Sequence, residues 1–124
     1  MPATSVPSRI AIVTGAARGI GRATALRLRS GGWSVVAIDQ SPMTDLAGGE
    51  DGVHEFRCDL TDSAALKNVV AESMELFGKI DLLVNNAGIS GAKPVHETDD
   101  ENLARIMEVN FTVPFRLSRE VLQV

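Results

Sequence analysis

The 124 residues predict an α/β fold, a parallel sheet covered by helices on both faces, and three observations carry that expectation. Apolar, β-branched runs stand at Ile10–Val13 and Ser34–Asp39, the pattern of strands buried on both sides. An amphipathic stretch of helical period separates them, so the two strands should be parallel with a right-handed crossover. The first strand also runs directly into Thr14-Gly15-Ala16-Ala17-Arg18-Gly19-Ile20-Gly21, a glycine-rich turn that opens this helix.

In that turn Gly15 suits a sharp exit from the strand, Gly19 leaves bare main chain for a ligand, and Gly21 lets the helix pack closely. The unpaired N–H groups and dipole at the helix start favour an anion such as a pyrophosphate. Taken alone, such a turn reads equally well as a tight connection with no ligand, and its spacing departs from G-x-G-x-x-G.

Along the first helix Gly21, Thr24, Ala25 and Leu28 form a small-residue face, with Arg22 and Arg29 opposite. Gly31 and Gly32 end it. The second strand closes on Asp39, 18 residues beyond Gly21, near where a dinucleotide fold places the acid that bonds ribose hydroxyls. Residues 40–52 hold Pro42, Gly48, Gly49 and Gly52 and read as a loop with at most one helical turn around Met43 to Ala47. Val53–Asp59 alternates in part and reads as a third strand. Thr61 is placed to cap the helix that follows. That helix, Ser63–Phe77, carries Leu66, Val69, Val70, Met74 and Phe77 at core spacing, with Gly78 as its C-terminal cap.

A short fourth strand, Leu82–Asn85, leads into Asn85-Asn86-Ala87-Gly88. Adjacent amides at a strand end can tie neighbouring strands together, while Ala87 and Gly88 leave the backbone open. From Asp99 to Val124 one long helix is expected, capped by Asp99 or Asp100 and apolar around much of its second half. Within it Pro114 has no N–H, so the carbonyl of Asn110 loses its helical partner. The bland alternative is a simple kink.

Composition narrows the function. A net charge of −4 argues against a nucleic-acid binder, and no apolar run reaches membrane-spanning length. Residues 1–8 contain two prolines and no secretory pattern; they read as a disordered leader to a cytoplasmic protein, with residues 9–124 as its domain. One cysteine, Cys58, rules out an internal disulfide, gives no support to a metal site, and reads as a buried small apolar residue. His54 has no partner pattern around it and reads as a surface residue, and His96, in the loop before the last helix, has no identifiable partner.

Thr-Gly-x-x-x-Gly-x-Gly at 14–21 and Asn-Asn-Ala-Gly at 85–88, with Asp39 and Asp59 between, resemble the short-chain dehydrogenase/reductase family over nearly the whole chain from Arg9. The resemblance implies a Rossmann-type doubly wound sheet of strand order 3-2-1-4, truncated after the fourth strand and the helix that follows it. It implies NAD(P)-dependent hydride transfer between nicotinamide and a carbonyl or alcohol substrate. Gly15, Arg18, Gly19, Ile20, Gly21, Asp39, Asp59, Leu60, Asn86, Ala87 and Gly88 become cofactor-binding residues, Asp59 and Leu60 at the adenine. Asn110 matches the asparagine of the catalytic Asn-Ser-Tyr-Lys set, whose backbone holds a water on the proton route. Asp39 favours NAD, since a carboxylate repels a 2′-phosphate; Arg18 leans toward NADP, and Asp39 is the more direct contact.

The family's Ser and Tyr-x-x-x-Lys are not matched, and the chain has no tyrosine. The expectation is therefore a cofactor-binding half, inert by itself, with its fourth strand as a bare edge and self-association through the last helix. Two alternatives are a non-catalytic dinucleotide-binding or interaction module, and a methyltransferase-type fold. The Asn-Asn-Ala-Gly segment argues against the second.

Overall fold

The computed structural model describes residues 8–43, 46, 52–91 and 93–124. In order, the chain forms β1 (Ile10–Thr14), α1 (Gly19–Ser30), β2 (Ser34–Asp39), β3 (Val53–Arg57), α2 (Ser63–Phe77) and β4 (Leu82–Val84). A 3₁₀ turn at Val95–Glu97 then precedes α3 (Asp100–Met107), a π-helical turn at Glu108–Thr112, and α4 (Val113–Val121). Of the expected leader only Ser8 is described; of the expected loop, residues 40–43, 46 and 52 are. The rest of both lies outside the described residues.

The strands form one sheet in the order β3-β2-β1-β4, and each neighbouring pair is parallel. Every residue of β1 is buried, as a continuous β-branched run at the centre of a covered sheet requires. Alternation along the strands divides the core. Val13, Val35 and Ala37 face Ala25 of α1 together with Met43 and Leu46. Ile12, Val36 and Ile38 face Leu66, Val69 and Val70 of α2 and Val113 and Leu117 of α4. Among the described residues β4 pairs only with β1 and stands at one edge, as expected.

Several expectations shift by local chemistry. The third strand stops at Arg57 and the fourth at Val84; beyond them the Asp59 carboxylate accepts from Thr61, and the side-chain amides of Asn85 and Asn86 donate to Ser118 and to the carbonyls of Thr14 and Gly15. Asp62, not Thr61, caps α2, its Oδ1 accepting from the amides of Ala64 at 3.0 Å and Ala65 at 3.5 Å. Thr61 turns back onto Asp59, donating its amide and hydroxyl to Asp59 Oδ1 at 2.9 and 2.7 Å. Gly78 closes α2 with φ of 76°, as read from the sequence. Met74 is only half-buried and Ser73 is fully buried in its stead, since the Ser73 hydroxyl donates to the Val69 carbonyl at 2.7 Å and so enters the core without an orphan polar atom. Arg29, expected on the solvent side, is half-buried and donates Nη1 to the Leu46 carbonyl at 3.3 Å.

The long final helix is the largest departure. Asp99 caps α3, accepting from the Asn102 amide at 2.8 Å. The helix then widens into the π turn and ends at Val121. The Val113 amide donates to the Glu108 carbonyl, one residue farther back than in an α-helix. Pro114 at the start of α4 marks the place, since it cannot supply the next amide.

Candidate functional site

The site begins at the corner where β1 ends. Thr14 Oγ1 accepts from the amides of Asn86 at 3.0 Å and Ala87 at 2.9 Å. The Asn86 side chain returns the contact, donating Nδ2 to the carbonyls of Thr14 at 3.1 Å and Gly15 at 3.2 Å. The glycine turn and the Asn-Asn-Ala-Gly segment, about 70 residues apart in sequence, are thus one bolted unit. Asn85 reaches the other way, donating to the Ser118 hydroxyl at 3.2 Å.

Three glycines then differ in what they permit. Gly15 has φ of 66°, and a Cβ there would lie 2.9 Å from Ala87 Cα and Asn86 Nδ2. A Cβ at Gly21 would overlap the Gly15 carbonyl oxygen and Asn86 Nδ2; the close packing expected of Gly21 is therefore made against the bolted corner. Gly19 has φ of 60° and open space where its Cβ would stand. With no side-chain cap and no acid in its first turn, α1 presents its amides and the positive end of its dipole to that space. Arg18, extended and exposed, precedes it, and Ile20 is exposed beside it.

Asp39 sits at the end of β2, beside this mouth. Its Oδ2 accepts from the Ala17 amide and its Oδ1 from the Ser41 amide, both at 3.0 Å. The carboxylate is therefore also a brace for the glycine turn, a role the sequence did not suggest. Each oxygen keeps a second lone pair for a hydroxyl donor.

A cavity of about 440 Å³ opens across the carboxyl ends of the strands. Gly15, Arg18, Asp39, Asp59, Leu60, Asn86, Ala87 and Gly88 line it, all of them expected site residues. Gly19, Ile20 and Gly21 form the adjoining helix mouth and are not part of its wall. Sequence reasoning missed Ile38, Gln40, Ser41, Cys58, Thr61, Ile89, Val109 and Val113, which complete the wall. Cys58 is half-buried, and partial burial, with Asp59 and Asp62 nearby, raises its thiol pKa above the usual value.

Asn110 stands outside this wall but governs one side of it. Its Oδ1 accepts from the Ile89 amide at 2.8 Å and its Nδ2 donates to the Ile89 carbonyl at 2.7 Å, so one amide holds both polar groups of a main-chain unit. A signal for this clamp was absent from the sequence, because its partner is backbone. The histidines lie apart from the cavity. His54 meets the Phe77 ring edge-on at 5.1 Å, and exposed His96, read as partnerless, approaches Glu97 at 4.0 Å.

Comparison with known proteins agrees with this geometry. The short chain dehydrogenase family matches residues 9–124. A 3beta-hydroxysteroid dehydrogenase of Mediterraneibacter gnavus is 38% identical over 94% of this chain and 45% of its own length. A 3-ketoacyl-(acyl-carrier-protein) reductase from Brucella melitensis, complexed with NADH, superposes with a TM-score of 0.89 at 30% identity, covering 96% of this chain and 50% of that one. An actinorhodin polyketide ketoreductase with NADPH gives 0.86 at 32% identity, over 94% and 47%. The chain spans about half the length of the relatives it matches. With its strand order, its glycine corner and its family match in agreement, the chain belongs to the short-chain dehydrogenase family.

Proposed function

We propose that these residues form the dinucleotide-binding part of an NAD(P)-dependent oxidoreductase, with NAD preferred. The observation that carries the reading is the open face at Gly19, set beside Asp39 on one cavity. A pyrophosphate fits the bare amides of α1, where a side chain at residue 19 would stand in its way. Asp39 suits the adenosine ribose hydroxyls and disfavours a 2′-phosphate by charge. Asp59 and Leu60 suit the adenine edge, and Asn86, Ala87 and Gly88 the second ribose. A bound nicotinamide would supply hydride transfer. This chain's own residues bind and orient; with no tyrosine among them, none supplies the family's proton donor, and the 124 residues alone are expected to be inert. Asn110 acts by holding Ile89, and its carbonyl, denied the Pro114 amide, is suited to a water.

Fluorescence titration with NADH and NADPH tests this. NADH should bind more tightly than NADPH, and Asp39→Ala should weaken NADH and narrow the difference. Equal affinities in the parent protein, unchanged by Asp39→Ala, would overturn the ribose assignment.

A second reading concerns assembly. Phe111, Phe115 and Leu122 are 62%, 58% and 85% exposed and border one apolar groove along α4. Self-association through this face is proposed; sedimentation giving a clean monomer at low micromolar concentration counts against it.

A further inference from the structure

Glu108 opens the π turn and Arg116 lies eight residues on, within α4. In an uninterrupted α-helix of about 100° per residue, eight steps rotate about 800° and leave the two side chains about 80° apart around the axis. A π turn absorbs one extra residue, which brings the same pair to within about 20° of two full turns. There they meet: Arg116 Nη1 lies 3.3 Å from Glu108 Oε1, each side chain 36% exposed. The ion pair therefore belongs to the π register, and slipping back to α geometry would break it.

The segment between the two partners holds residues that bear on one wall of the cavity. Val109 and Val113 line its wall, and Asn110 clamps Ile89 with two hydrogen bonds. Ile89 continues the wall from Ala87 and Gly88. A one-residue change of register would swing Asn110 about 100° around the helix axis and release Ile89.

We propose that Glu108 and Arg116 are positioning residues: their ion pair holds the π turn in register and, through Asn110 and Ile89, sets one wall of the cavity. The proposal rests on reading that cavity as a dinucleotide site. It concerns charge and not bulk, so it is testable by exchange of the two partners.

Amide hydrogen exchange at Ile89, followed by NMR alongside NADH titration, is the experiment, applied to the parent protein, E108Q, R116Q and the swapped double variant E108R/R116E. Each single variant should speed Ile89 exchange about two- to five-fold, the scale of a partly exposed ion pair, and weaken NADH by a similar factor. The swapped variant should recover most of both, and added salt should act on the parent as the single variants do. Parent-like Ile89 exchange in both single variants, with acceleration in Asn110→Ala, overturns the proposal, as does a swapped variant no better than the singles. If the parent protein fails to bind NADH, the reading of the cavity falls, while Ile89 exchange still decides the part played by the ion pair.

Discussion

Replacing Gly21 with alanine probes the bolted corner most sharply. The new methyl would overlap the Gly15 carbonyl oxygen and the Asn86 amide nitrogen, and would lie 2.8 Å from the Gly15 carbonyl carbon. Two of these atoms are backbone and cannot rotate aside. Either α1 slides outward or the Asn86 amide lets go of its acceptors at 3.1 and 3.2 Å. Overpacking costs about 1–3 kcal/mol and two lost hydrogen bonds about 1 kcal/mol each. Alanine's helix preference returns about 1 kcal/mol. Where both costs fall together the net loss is about 2–4 kcal/mol, or roughly 8–16 °C in Tm for a domain of this size. Thermal melts by circular dichroism measure it, with NADH titration alongside. Gly19→Ala supplies the contrast, because its methyl meets no atom within 4 Å. It should lose only about 1–2 kcal/mol, from the left-handed backbone, yet bind NADH at least as poorly as Gly21→Ala. A Gly21→Ala protein with the parent's Tm and affinity would refute the packing argument.

Two further predictions concern titrating groups. Asp81 accepts from the Ile10 amide at 2.8 Å and pairs with Lys79 at 3.1 Å; the backbone bond first, then Lys79, lowers its pKa from the ordinary carboxylate value. Its contribution is therefore present above the unfolded-state pKa and lost as pH falls through the lower folded value. Denaturant melts across pH should find Asp81→Asn less stable than the parent at neutral pH and indistinguishable from it in strong acid; a constant gap across that range would contradict the assignment. The raised pKa of Cys58 keeps the thiol protonated at neutral pH, so iodoacetamide labelling should be slow there and gain rate only above the usual thiol range. Because Cys58 lines the cavity, NADH should slow labelling further, and labelling indifferent to NADH would place the ligand elsewhere.

Much of this was legible because local pattern and tertiary demand coincide. The β1 and β2 runs, the helical period of α2 and the left-handed Gly78 each specify one solution. So does the glycine turn, whose three positions separate into a bend, an open face and a close packing. What escaped was decided by partners far away in sequence or by backbone. Asp39 braces Ala17, and Asn110 clamps Ile89 across 21 residues; neither partner's side chain takes part, so side-chain identity carries no trace. The π turn escaped for another reason. Pro114 announces a break, but one extra residue barely alters an apolar pattern that already wraps most of the helix. Thr61 and Asp62 are both good caps, and the Asp59 carboxylate decided between them by taking the Thr61 hydroxyl.

Amide chemical-shift mapping during NADH addition tests the cradle most directly. The largest changes should fall at Ala17, Gly19 and Ile20 at the mouth of α1 and at Asp39, Asp59 and Leu60 along the cavity. Changes confined to Phe111, Phe115 and Leu122, or no saturable change at all, would contradict a dinucleotide site at the carboxyl ends of these strands.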